Sequence, residues 1–161
     1  MRYMSVGVEK TTHLAAEFAK KLNNSLGLTP ENLTSKGATV VGLYGDLGSG
    51  KTCFMQGVGQ TLGVSERMVS PTFVIEKIYK LNSSPAGDRF SHLIHIDAYR
   101  IEKSEEMLHL GWQELLKDPK NLVCIEWPEK IADIMPPNHI KISFTFMDEN
   151  TRAIDFENFE I

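Results

Sequence analysis

The residues best suited to chemistry in this chain are GDLGSGKT, Gly45 to Thr52. They match G-x-x-x-x-G-K-[ST] in full, the pattern of a loop that cradles phosphates. Phosphate groups need several N–H donors converging on them, and a loop wrapped ahead of a helix N-terminus supplies those donors together with the positive end of the helix dipole. Gly45, Asp46, Leu47, Gly48, Ser49 and Gly50 would form that cradle. Lys51 would then reach the β- and γ-phosphates as a point charge, and the Thr52 hydroxyl would take one position on Mg²⁺. The pattern specifies a nucleotide without specifying the base. No N-K-x-D segment of the kind that recognises guanine occurs, the nearest run being Glu129-Lys130-Ile131-Ala132-Asp133, so adenine is the expected base.

Magnesium needs further oxygen ligands or water-ordering acids, and in nucleotide-binding α/β sheets these come from the C-terminal ends of neighbouring strands. Two acids have that placement: Asp97 follows LIHI and Glu126 follows LVCI. An acid closing a largely apolar run is expected to emerge at the sheet rim, where its charge is not buried alone. The pattern leaves open which of the two lies nearer the metal. His92 and His95 are an odd number apart on a strand and face opposite ways, so they cannot share an ion, and a structural or supporting role is expected. His95, Asp97 and Tyr99 share a face if the strand persists, and Trp127 beside Glu126 is a candidate neighbour of the ligand.

The elements that must position these groups are legible in the hydrophobic pattern. Leu14, Ala15, Phe18, Ala19, Leu22 and Leu26 recur at helical spacing over 11–26, with Gly27 as a stop. ATVVGLY (38–44) has the near-continuous apolar character of a strand covered on both faces. A helix is expected from Lys51 to about Leu62, strands over 73–79, at the start of HLIHIDAYR (92–100) and over 122–126, and helix over 104–117 broken near Gly111. Pro128 to Ile134 reads as a short helix with proline in its first turn. LTPENLTSKG (28–37) and LNSSPAGDR (81–89) read as surface connections. From His139 to Ile161, Ile140, Ile142, Phe144 and Phe146 alternate with polar residues, MDENT turns, and alternation resumes, which predicts an antiparallel hairpin at the sheet edge. The fold expected is therefore α/β: one P-loop domain over 1–161 with a mixed parallel and antiparallel sheet, flanking helices and a C-terminal β-hairpin.

Composition bounds the partners. At 161 residues the chain buries about two thirds of the surface its unfolded form exposes. Its net charge of -4 repels nucleic acid at long range, so any contact with nucleic acid would run through a partner or a local patch. Cys53 and Cys124 have no metal or disulfide spacing and read as packing residues in a reducing compartment. No apolar run reaches the ~18 residues of a membrane helix, and MRYMSVGVEK lacks a signal-peptide core, which points to the cytoplasm.

Taken in order, GDLGSGKT, VSPTF (69–73), HIDAYR (95–100), LGW and IEWPEK resemble the bacterial TsaE family, the ATPase component of tRNA threonylcarbamoyladenosine biosynthesis. The likeness runs from TTHLA at Thr11 to TRAI around Arg152. It implies a small P-loop α/β fold that binds ATP and Mg²⁺, hydrolyses ATP slowly alone, and works with TsaD and TsaB. Those partners transfer a threonylcarbamoyl group to the adenosine beside the anticodon, while the ATPase resets their complex. Carried over by position, the resemblance makes Lys51, Asp97 and Glu126 the catalytic candidates. Thr52 and Glu126 are then the metal-side pair, with Glu126 in a Walker-B-like role and Asp97 serving the water or a switch. Ser70, Pro71 and Thr72 match the switch-like segment, and Thr11 and Arg152 match positions bordering the base or ribose. Cys53 stands where the family commonly has a second hydroxyl able to touch the α-phosphate, and Ala98 replaces a bulkier residue.

Two other classes remain possible from sequence. A small-molecule kinase would need an acceptor pocket and an arginine-bearing lid, and Arg2, Arg67, Arg89, Arg100 and Arg152 are scattered singly. A nucleotide-gated binding module would use occupancy without hydrolysis.

Overall fold

The computed structural model describes residues 1–28, 36–82 and 89–161. The connections expected at 28–37 and 81–89 fall mostly outside these residues. Seven strands form one sheet in the order β1-β7-β6-β2-β5-β4-β3. They are β1 (Arg2–Val6), β2 (Thr39–Tyr44), β3 (Glu76–Lys80), β4 (His92–Asp97), β5 (Asn121–Glu126), β6 (Ile140–Phe146) and β7 (Thr151–Glu157). β2 runs parallel to β5 and β6, and β4 runs parallel to β5. β3, β7 and β1 pair antiparallel. The mixed α/β sheet is the one its hydrophobic runs predict.

Three expectations are corrected. The C-terminal hairpin is not at the sheet edge, because β1 pairs with β7 and covers it. β1 buries only Ser5 among its five residues, so it carries no apolar alternation for a sequence pattern to detect. The strand expected over 73–79 begins only at Glu76. Phe73 to Ile75 turn instead, with Ile75 at a φ of 66°, a conformation that a β-branched residue rarely adopts. The first helix starts earlier than its apolar spacing suggested, at Gly7, and ends at Asn23.

Two layers cover the sheet. On one face lie α1 (Gly7–Asn23) and α2 (Lys51–Thr61), which bury Phe18 and Phe54 against Phe156 of β7. Ring centroids there are 5.6 to 6.1 Å apart. Burying each such ring stabilises the fold by about 1.5–3 kcal/mol, with a further contribution from ring geometry. That packing fixes the axis of α2 and hence the loop that precedes it. The opposite face is covered by α3 (Glu105–His109) and α4 (Trp112–Lys117), divided at Gly111, whose φ is 77°. Met107 and Trp112 pack there against Ile94, Ile96, Val123 and Ile125. Pro128–Ile131 forms a 3₁₀ turn.

Candidate functional site

The parallel order β2-β5-β4 brings three C-terminal strand ends side by side, and the phosphate loop, Glu126 and Asp97 each follow from one of them. The loop is built on left-handed glycines, with φ of 140° at Gly45, 75° at Gly48 and 107° at Gly50. Gly45 also needs its missing side chain, because a Cβ there would lie 2.6 Å from the Phe144 carbonyl oxygen. Lys51 opens α2 with its side chain folded over the loop. Its Nζ donates to the carbonyls of Gly45 at 2.6 Å and Asp46 at 2.9 Å, and lies 4.3 Å from the centre of the Trp127 ring. Burial pulls the Lys51 ammonium below the usual lysine range, against the opposing pull of Glu126, Glu129, Asp97 and Asp46.

Thr52, one residue on, donates its hydroxyl to Glu126 Oε1 at 3.1 Å. The same Oε1 lies 2.9 Å from His95 Nε2. Asp97 is held from the other side: Ser70 and Thr72 each donate a hydroxyl to its Oδ2 at 2.7 Å, and the Tyr99 amide donates to Oδ1 at 3.0 Å. Both acids are 3% exposed, so they are not free at the rim as their positions in sequence suggested. Their burial is tolerated because each carboxylate is hydrogen-bonded.

These groups line a cleft of about 320 Å³ bounded by the loop, Ser70, Thr72, Asp97, Glu126 and Trp127. Leu47, Gly48, Gly50, Thr52 and Cys53 also face it, whereas Gly45 and Asp46 act through the carbonyls that hold Lys51. Tyr99 faces the cleft although β4 ends at Asp97, and its ring meets Trp127 at 5.1 Å. Trp127 is turned into this position by a φ of 59°.

A second cleft of about 270 Å³ shares Gly48, Gly50 and Cys53 with the first and continues to Ser49, Thr11 and Arg152. Thr11 is buried, bonded to the Ser5 hydroxyl at 2.8 Å, and Arg152 lies over Phe146 at 4.2 Å while donating to the Asp148 and Glu149 carbonyls. The sequence pattern missed Gly7, Val8, Glu149 and Asn150 in this cleft. They sit at the β1–α1 junction and in the β6–β7 turn, which only the topology brings together. Cys124 is buried, and burial pushes its thiol far above the ordinary range, in keeping with a packing role. Ala98 is fully buried within the second layer.

The donor set is suited to phosphate with a divalent cation. The Ser49 hydroxyl, inside the loop, is buried without a hydrogen-bond partner. Among the described residues no cluster of three or more His, Cys, Asp or Glu could hold a metal. A magnesium ion that draws most ligands from phosphate and water needs only one or two protein oxygens, which Thr52 and Glu126 could offer.

A family model described as threonylcarbamoyl adenosine biosynthesis protein TsaE matches residues 6–154. The chain belongs to the TsaE family. Relatives bearing the name tRNA threonylcarbamoyladenosine biosynthesis protein TsaE occur in Rickettsia typhi, Nostoc and Treponema pallidum. The Rickettsia typhi protein is 36% identical over 87% of this chain and 92% of its own length. The Nostoc protein is 35% identical over 82% of this chain and 76% of its own, and the Treponema pallidum protein 32% over 80% and 87%. The crystal structure of Bacillus subtilis YdiB superposes with a TM-score of 0.68 at 27% identity, covering 97% of this chain and 83% of that one. The TsaE fold is thus a P-loop NTPase-like α/β fold, and no helix among the described residues is long and apolar enough to cross a membrane.

Proposed function

We propose that this chain is the ATP-binding and ATP-hydrolysing component of the machinery that makes threonylcarbamoyladenosine in tRNA. In this reading it acts in the cytoplasm as a single catalytic domain and resets the TsaD–TsaB complex between rounds of modification. The observation that carries the reading is the meeting of the Thr52 hydroxyl and the Glu126 carboxylate at 3.1 Å, directly beside Lys51 and within the cleft that Asp97 also lines.

ATP enters with its phosphates against the loop, and its base and ribose extend into the second cleft toward Thr11 and Arg152. Lys51 exchanges its loop carbonyls for the β- and γ-phosphate oxygens and offsets the charge that builds there. Thr52 and Glu126 would hold Mg²⁺, which supplies charge neutralisation across the same phosphates. Asp97 fixes the Ser70–Thr72 segment beside the γ-phosphate and orders the attacking water. Trp127 covers Lys51 and excludes bulk solvent. The acidic net charge accords with a subunit that reaches tRNA through its partners.

The test is steady-state hydrolysis with TsaD and TsaB present. Lys51→Ala is expected to lower turnover about 10²–10³-fold, the scale of losing one electrostatic contact to the transition state. Glu126→Gln is expected to lower turnover at least about 10²-fold, more than it lowers nucleotide affinity. Unchanged turnover in both variants would sink the proposal.

The double hydroxyl clamp on Asp97 favours a second reading, in which nucleotide occupancy alone sets the shape of the Ser70–Thr72 segment for a partner. Hydrolysis would then be dispensable.

A further inference from the structure

We infer that His95 is the positioning residue of Glu126, orienting its carboxylate for the metal side of the nucleotide site. This rests on the reading of Glu126 as the metal-side acid. β4 and β5 run in parallel register with His95 opposite Cys124 and Asp97 opposite Glu126. Because side chains alternate along a strand, Cys124 and Glu126 share a face with His95, and the imidazole reaches forward along that face to the carboxylate. The ring is completely buried, and its Nε2 lies 2.9 Å from Glu126 Oε1.

A carboxylate oxygen accepts and an imidazole N–H donates, so Nε2 is the donor to Oε1. Nδ1 is buried with no hydrogen-bond partner, which marks this ring as placed for its single contact with Glu126. Oε1 therefore receives two donors, His95 Nε2 and the Thr52 hydroxyl, while Oε2 has only a longer contact of 3.4 Å to Thr52. The carboxylate is pinned by one oxygen and presents the other. A flexible glutamate so fixed loses little freedom on engaging a cation or its water, and supporting contacts of this kind are worth about 10–100-fold in metal affinity.

The experiment measures the dissociation constant of a non-hydrolysable ATP analogue by calorimetry, once with excess Mg²⁺ and once in EDTA. The ratio of the two is the metal's contribution to binding. In His95→Gln the amide N–H reaches the Nε2 position, and the ratio is expected to stay within about threefold of wild type. In His95→Asn the amide ends at the Nδ1 position, short of Glu126, and the ratio is expected to fall about tenfold or more while binding in EDTA stays within about threefold. His95→Phe, which keeps the volume and removes the donor, repeats the His95→Asn test if that variant does not fold. An unchanged ratio in the variants lacking the donor overturns the inference, as does an equal loss in EDTA, which would mark a merely structural role. Glu126→Gln separates the two levels of argument. If it lowers the ratio while His95→Asn does not, only the positioning role fails; if it too leaves the ratio unchanged, the metal-side reading of Glu126 fails with it.

Discussion

Thr72→Val tests the clamp on Asp97 with almost no change of shape. The substitution removes one hydroxyl donor from Asp97 Oδ2, a contact of 2.7 Å, and replaces it with a methyl group. Short hydrogen bonds to an ionised acceptor contribute about 1.5–3 kcal/mol each. Oδ2 keeps the Ser70 hydroxyl at 2.7 Å, and Oδ1 keeps the Tyr99 amide, so the carboxylate is not stranded and the loss should not exceed that range. For a chain of 161 residues this corresponds to a fall in Tm of about 3–12 °C. Urea unfolding gives the free energy. Amide exchange should localise the effect to the turn in which Ile75 N–H donates to the Pro71 carbonyl at 2.7 Å and the Asp97 amide donates to the Ile75 carbonyl at 2.8 Å. The Ser70→Ala/Thr72→Val double variant should lose more than the sum of the single changes, because it leaves a buried carboxylate oxygen without a donor. A loss below about 0.5 kcal/mol in Thr72→Val, with exchange at Ile75 unchanged, would refute the clamp.

Gly57→Ala adds a methyl whose carbon would lie 2.8 Å from the Ala15 Cβ and 3.1 Å from the Thr12 carbonyl oxygen, so α1 must move away from α2. The overlap is expected to outweigh the gain in helix propensity and to destabilise the protein by about 1–3 kcal/mol in urea unfolding; a stabilised variant would contradict the close approach of the two helices. Lys51 gives a pH signature. Its folded pKa is lowered by burial, so its charge penalises the folded state at every pH below that value. The penalty is relieved as pH rises from the folded pKa toward 10.5, where the unfolded chain also loses the proton. The stability of wild type relative to Lys51→Met should accordingly rise with pH in that alkaline window, and a flat difference would refute the buried ammonium.

The sequence was most legible where periodicity and chemistry coincide. The strand–loop–helix of Gly45 to Thr52 and the acids closing β4 and β5 were placed correctly, because apolar runs end where the parallel strands end. β1 escaped notice because four of its five side chains are not buried, and an edge strand is held chiefly by its ladder to β7. The turn at Ile75 was hidden by β-branched residues that read as strand, although Phe73 and Val74 stand 85% and 64% exposed. Parity along a strand separated His92 from His95, yet could not show that His95 meets Glu126, since that needs the register between two strands. Thr11 and Arg152 come to one cleft through the sheet order, which no local pattern encodes.

The most direct measurement of the central claim is multiple-turnover formation of threonylcarbamoyladenosine by the reconstituted TsaD, TsaB and this chain, supplied either with ATP or with a non-hydrolysable analogue. All other substrates are held the same. Hydrolysis at the Lys51, Thr52 and Glu126 site predicts sustained product with ATP and a halt near one round with the analogue. Sustained product with the analogue would contradict it.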